Sequence, residues 1–515
     1  MWRTKLKTLL KYSVYGTLIG GTALSLKTNQ YSIDSIGVVR LSRAAFTVLQ
    51  IGLIYKRDLY GKRLDEQSEE YKKVKSECHK KSAEKLLELC CTNKGVYIKV
   101  GQHIAALEYL LPTEYVQTMK ILHSHAPVND IQEVYRVLRE DLKKDPFEIF
   151  SKIEEVPLGT ASLAQVHKAT LKDGTVVAVK VQHPYVQGNS KVDMKTMEYL
   201  VKLTSIIFPE FKFQWLVDES KKNIPRELDF AMEGRNAEKV AELFRDVDWL
   251  KVPSIRWDLT TKRVLTMEFV EGGQVNDLKY IETNKINPFE VSDKLGKLYS
   301  KMIFIHGFVH SDPHPGNILV RRREKGDCDI ILLDHGLYAT LKDELRVEYA
   351  NLWLSILNRD INGIKLHSKN LGIDGRAFGL FACMVTGRTW NSIMRGIDKE
   401  KLTSKESTFM KQTFTGIIPQ ISDVLQNVNP QILLILKTND LMRGIEHALK
   451  TNERMNSFKV MSQCCVRSVY NQRYSMSEKK FDKIKISLAE FWVLFKINLY
   501  YVYLSLKSKS LCMFC

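Results

Sequence analysis

One segment constrains this chain more than any other: His310-Ser311-Asp312-Pro313-His314-Pro315-Gly316-Asn317, followed after an apolar run by Leu333-Asp334-His335-Gly336. Asp312 and Asn317 stand five positions apart on a turn-rich loop, and Asp334 follows residues 330–333, which read as a short buried strand. The spacing offers one carboxylate, Asp312, to orient or deprotonate a hydroxyl. It also offers an amide oxygen, Asn317, and a second carboxylate, Asp334, as hard-oxygen ligands for magnesium. Taken singly, Asp312 and Asp334 read as solvated loop acids; their order with what precedes them points to chemistry. His310 and His314 are assigned to satisfying backbone, because no Cys or Glu stands at metal-ligand spacing from them.

Upstream lies Val177-Ala178-Val179-Lys180, a strand ending in a lysine, with Asp173-Gly174 as a hairpin turn before it. A small-residue loop, Gly159-Thr160-Ala161-Ser162, comes earlier still, and Lys180 can reach phosphates from the sheet edge. Residues 264–270 read as another buried strand, with Glu268 and Val270 at its end counted among the nucleotide-binding candidates. Glu227-Leu228-Asp229-Phe230-Ala231-Met232-Glu233 reads as opening a charged helix through Asn236 and Lys239. Glu233 is chosen as the partner of Lys180, with Glu227 as competitor. Phosphoryl transfer requires clamped phosphates, a held metal and a base near the acceptor, and these segments supply the parts in that order. ATP and Mg2+ are the expected cofactors.

The periodicity predicts an α+β chain with a protein-kinase-like bilobal fold: a small β-rich lobe, a helical lobe, and helices in front of both. The expected boundaries are 1–35 for a targeting segment or anchor, 36–128 for a helical extension, 129–270 and 271–475 for the two lobes, and 476–515 for a basic aromatic tail. Thr340-Leu341-Lys342-Asp343 resembles a helix N-cap with an acid at its third position, which leaves no room after Gly336 for a peptide-docking segment. Ser311 also replaces the arginine that precedes the catalytic aspartate in phosphorylation-controlled kinases.

Composition adds the setting. Lys and Arg total 77 against 59 Asp and Glu, a net +18 spread along 515 residues; a solvated basic surface is the first reading, an anionic lipid surface the second, and nucleic acid, for which no recognition module is present, a distant third. Nine dispersed or adjacent cysteines suit neither a disulfide framework nor a tetrahedral metal site. Arg3, Lys5, Lys7 and Lys11 precede an apolar run at 12–26, with no acid before Asp34, the pattern of a mitochondrial targeting segment or short anchor. In the tail, Glu490 and Lys496 interrupt an aromatic stretch; it is expected to form an amphipathic helix lying on a membrane or packing on the protein.

Lys99-Val100-Gly101-Gln102 resembles the KxGQ signature of the aarF-domain (UbiB-like) atypical kinase family. The run from Pro157 to His167 is similar to that family's alanine-rich loop, and Glu227-Leu228-Asp229 to its ExD motif. With Lys180, Asp312, Asn317 and Asp334 the resemblance extends from about residue 90 to 340, and is nearest to an animal mitochondrial branch. It implies that the KxGQ helices form a regulatory cap, with Lys99 near Glu227 and Asp229, and Gln102 beside them. It further implies a lipid or quinone-type small acceptor, mitochondrial protein partners and a role in inner-membrane or cristae maintenance. Ala105, Leu107 and Tyr109 depart from the Ser, Arg and Asp usual after KxGQ, which argues against a substrate shared with the quinone-biosynthesis members. Two other readings stay open: a protein Ser/Thr kinase, and an ATP-binding scaffold.

Overall fold

The computed structural model describes residues 36–61, 65, 68–105, 111–123, 128–207, 214–311, 314–373, 375, 377–396, 429–451 and 456–512. The basic N-terminal segment with its apolar run, Leu107, Tyr109 and Asp312 lie outside the described residues. In chain order, the helices α1 (Gly37–Ile54), α2 (Glu69–Asn93), α3 (Val96–Ala105), α4 (Thr113–Met119) and α5 (Ile131–Leu142) lead into strands β1 (Phe150–Ile153), β2 (Gly159–Thr160), β3 (Ala164–Leu171) and β4 (Val176–Gln182). Helices α6 (Val186–Ile207), α7 (Gln214–Glu227) and α8 (Phe230–Leu243) follow, then strands β5 (Leu250–Lys251), β6 (Val264–Glu268) and β7 (Gly273–Gln274). The remainder comprises α9 (Pro288–Ser300), β8 (Phe308–His310), β9 (Ile318–Arg322), β10 (Cys328–Leu332), β11 (Tyr338–Thr340), α10 (Asp343–Asn358), α11 (Pro430–Ala448), α12 (Asn456–Met476) and α13 (Lys480–Cys512), with shorter helices among them. Contacts divide the chain into two units: residues 1–232 with 255–269, and residues 233–254 with 270–515.

The first unit holds an antiparallel sheet ordered β1-β3-β4-β6, with β2 on β3. Its central hairpin turns where the sequence predicts: Gly174 takes φ +86°, and the Asp173 side chain accepts from the Thr175 amide at 2.8 Å. Strand alternation sends Val177, Val179 and Val181 to one face, where α5 covers them with Val134, Val137 and Leu138. Asp130 starts α5 by accepting from the Gln132 amide, and Lys143 ends it in the left-handed region.

The helices before the sheet belong to the same unit. Arg40 of α1 grips Asp193 of α6 through two contacts of 2.8 and 2.6 Å, and both side chains are buried. Burial pushes the Asp193 carboxyl up while Arg40 pulls it back, so the pair depends on its geometry. Gly101 of α3 is required by close approach: a Cβ there would sit 2.3 Å from Leu122 Cδ1 and 3.3 Å from Cys90 Sγ. The stretch Gly37–Tyr60 is long and apolar enough to cross a membrane by length and composition. It lies at the start of the expected helical extension 36–128.

In the second unit, β10 pairs with β9 antiparallel and with β5 parallel, β7 extends β9, and β8 pairs separately with β11. Leu295, Leu298 and Met302 pack with Ile318, Val320, Ile330 and Leu332 in its core. Thr340 is not the helix cap that its sequence suggests. It ends β11, paired with Phe308, and α10 begins after Lys342 with no side-chain cap. Six residues, 337–342, therefore separate Gly336 from α10, and three of them are strand.

Candidate functional site

In the first unit the small-residue loop is a tight turn, not an open cradle. Gly159 and Thr160 pair with Val166 and Gln165, and the Ala161 amide donates to the Ala164 carbonyl at 2.7 Å. Gly159 thus lies on the strand leading into the turn, at ordinary φ, with open space around a built Cβ. The turn runs from Ala161 to Ala164 with Ser162 and Leu163 at its centre, Ala161 exposed and Ser162 and Leu163 buried. His183 supports the turn from behind. Its amide donates to Leu163 and its Nε2 lies 3.0 Å from the Ala161 carbonyl. Burial holds the His183 pKa down, so the neutral ring donates from Nε2.

Lys180 lies within β4, which continues to Gln182, so it does not end the strand as expected. It stands opposite Leu265 in β6, half-buried, with Nζ 5.0 Å from the centre of the buried Phe230 ring. Glu268 closes β6 opposite Val177 and is half-buried. The helix expected across Glu227–Glu233 is two helices, broken at Leu228 and Asp229. The break is held by tertiary contacts. Gln182 and Gln187 both donate to the Leu228 carbonyl, and the Phe230 amide donates to Lys262 O at 3.1 Å.

That break divides the candidate acids. Glu227 closes α7 and pairs with Lys99 of α3, Nζ to Oε2 2.8 Å, their side chains 11% and 10% exposed. Asp229 accepts from the Met232 amide at 3.2 Å and starts α8. Gln102 donates to the Leu122 carbonyl at 3.0 Å, tethering the neighbouring turn Lys120–His123. The KxGQ and ExD motifs therefore meet through Lys99 and Glu227, while Gln102 and Asp229 have backbone duties.

In the second unit the β9–β10 hairpin brings two oxygen donors to one end. Ile318 pairs with Leu332, and the Leu333 amide donates to the Asn317 carbonyl at 3.0 Å, which leaves Asn317 and Asp334 just beyond the ladder. Asp334 Oδ1 accepts from the Gly336 amide at 2.9 Å, and His310 Nε2 donates to the Asp334 carbonyl at 2.9 Å. His314 Nδ1 accepts from the Gly316 amide, so both loop histidines serve the backbone. His335 is buried, with Nε2 3.2 Å from the Leu332 carbonyl and Nδ1 3.0 Å from the Tyr338 hydroxyl. Burial lifts the Tyr338 phenol well above its usual range, with the nearby Asp334 and Glu233 charges adding to it.

Glu233 is 2% exposed in the first turn of α8. A Cβ built on Gly336 would lie 3.3 Å from Asp334 Oδ1 and 3.8 Å from Glu233 Oε2, so both carboxylates flank that glycine. One turn on, Asn236 donates to the His335 carbonyl at 2.9 Å, and Lys239 lies over the Phe308 ring. Sequence reasoning missed Asn236, His183 and Gln182 as positioning residues. Val270 is buried. No group of three His, Cys, Asp or Glu side chains among the described residues could hold a metal unaided. An amide oxygen and a carboxylate at one hairpin end do fit a cation that takes its other ligands from phosphate and water, as magnesium does.

A first unit built on an antiparallel sheet and a mostly helical second unit make a kinase-like α+β fold. The comparisons with known proteins agree. The ABC1 atypical kinase-like domain model matches residues 121–368. The chain belongs to the ABC1/AarF atypical kinase family. AarF domain-containing kinase 1 of Drosophila melanogaster is 57% identical to it, covering 97% of each chain. AarF domain-containing protein kinase 1 of Gallus gallus is 50% identical over 93% of this chain and 92% of that one. Among solved structures, Rv3197 of Mycobacterium tuberculosis, in complex with erythromycin, aligns with a TM-score of 0.51 at 22% identity. It covers 73% of this chain and 94% of its own, a likeness of fold alone.

Proposed function

We propose that this protein binds Mg·ATP and acts as an atypical kinase or ATPase on a small lipid or quinone-type acceptor at the mitochondrial inner membrane. The observation that carries the reading is the β9–β10 hairpin end, where Asn317 and the hydrogen-bonded Asp334 carboxylate come together. Magnesium bound there supplies charge neutralisation for the phosphates. In the first unit Lys180 is the residue that would hold phosphate oxygens; in the second, Glu233 supports the Asp334 end, and Asp312 would orient or deprotonate the acceptor hydroxyl.

The acceptor class is supported by the six residues between Gly336 and α10, too few for a peptide-docking segment, and by the KxGQ helix held to Glu227. This disfavours the protein-kinase reading. The mitochondrial setting and a role in lipid homeostasis and cristae maintenance are supported by the basic, acid-free N-terminal sequence. The net charge of +18 supports an anionic lipid surface as partner.

Thermal unfolding tests the nucleotide reading. At about a hundredfold excess over its dissociation constant, Mg·ATP is expected to add ~2.7 kcal/mol to the folded state. The melting temperature then rises with Mg·ATP and rises less with ATP in EDTA. An unchanged melting curve under both conditions contradicts nucleotide binding.

A further inference from the structure

The 33-residue helix α13 is apolar on two sides, and only one of them is covered. Asp482, Ile486, Glu490, Val493, Ile497 and Tyr501 are half-buried on the side that packs along α12. On the other side Phe481, Ile484, Leu488, Phe491, Phe495, Leu499 and Val502 recur at three- and four-residue spacing, each between 47% and 67% exposed. Such an uninterrupted exposed stripe is far more than the scattered surface apolar residues of an ordinary soluble domain. The helix expected in the tail is present, and one of its two expected placements, packing on the protein, holds for the side along α12.

Charge identifies what covers the stripe. The outward side carries Lys485 and Lys496, both exposed, while the nearby acids Asp482 and Glu490 are on the α12 side. Lys485 lies 4.5 Å from the Phe481 ring centre and Lys496 5.7 Å from that of Trp492. Their stems run along the aromatic stripe and their ammonium groups stand at its edge, the disposition of lysines at a bilayer surface. Face-to-face pairing with a second copy would instead set lysine against lysine with no acid on either face. The charges at Asp482, Glu490 and Lys496, and packing along α12, also oppose a spanning orientation.

We propose that α13 lies in the plane of an anionic bilayer surface, with the Phe481–Val502 stripe inserted among the acyl chains and Lys485 and Lys496 at headgroup level. This rests on the lipid-surface part of the function above and names the element that makes the contact. It places the second unit, which carries Asn317 and Asp334, directly at a source of lipid-like acceptors.

The test uses the full chain without nucleotide, so loss of ATP binding would sink the kinase reading and leave this result intact. Vesicles of phosphatidylcholine with cardiolipin, and of phosphatidylcholine alone, are compared, with brominated acyl chains as quencher. Wild-type tryptophan emission is expected to be quenched in the cardiolipin vesicles, and clearly less so in W492F, which keeps the apolar stripe. The exposed-site variant F491Q/F495Q should keep its melting temperature yet partition about tenfold more weakly, the change that a loss of ~1.4 kcal/mol gives. Equal quenching in wild type and W492F, or unchanged partition of F491Q/F495Q, overturns the proposal. So does sedimentation showing that F491Q/F495Q splits a wild-type dimer, because a second copy would then cover the stripe.

Discussion

Methionine in place of Lys99 is expected to destabilise the protein by ~3–5 kcal/mol, the cost of leaving a buried charge without its partner. Lys99 and Glu227 are about nine-tenths buried and 2.8 Å apart. Glu227 is also the last residue of α7, where the unsatisfied carbonyls of a helix end already disfavour negative charge. Removing the lysine alone therefore strands a carboxylate in a doubly unfavourable place. Removing both charges in K99M/E227L should restore most of the loss, since apolar replacements of a buried pair are often neutral or stabilising. Urea unfolding of the two variants checks this. A K99M loss below ~1 kcal/mol would show that the pair is solvated and that the KxGQ helix is held by other contacts.

The second large effect is chemical. Asp334→Asn is expected to lower Mg·ATP-dependent phosphate release at least ~10²-fold, since a metal's charge stabilisation is worth several kcal/mol. The substitution keeps an oxygen that can accept from the Gly336 amide, so stability should change by less than ~1 kcal/mol. Structure and chemistry are thereby separated: folded protein with little turnover is the expected result. Turnover within threefold of wild type would remove Asp334 as a metal ligand.

The parts of the fold that could be read from sequence are those whose determinants are local. Asp173-Gly174 sets its own turn, and the Val177–Lys180 alternation makes a strand in any context that buries one face. The strand before Asp334 was legible because residues 330–333 are a local apolar run, whereas its partner Ile318–Arg322, ending in two arginines, was not. The errors come from partners distant in sequence. Thr340 fits a capping pattern, but Phe308 draws it into a strand. Glu227 to Glu233 look like one helix until Gln182, Gln187 and Lys262 hold the break. Val181 does carry the signal that the strand runs past Lys180, since it keeps the alternation of Val177 and Val179; reading the lysine as the strand's end passes over it. For the tail, sequence shows the helix but not which of its faces meets α12.

The central claim, a phosphotransferase or ATPase acting where lipid is presented, is tested most directly by phosphate release from Mg·ATP by the full chain. Wild type and Asp312→Asn are compared with and without cardiolipin-containing vesicles. The account predicts release by wild type that rises with the vesicles and disappears in Asp312→Asn. Nucleotide binding with no release from either protein, vesicles or not, would contradict it and favour a scaffold that uses ATP only as a structural ligand.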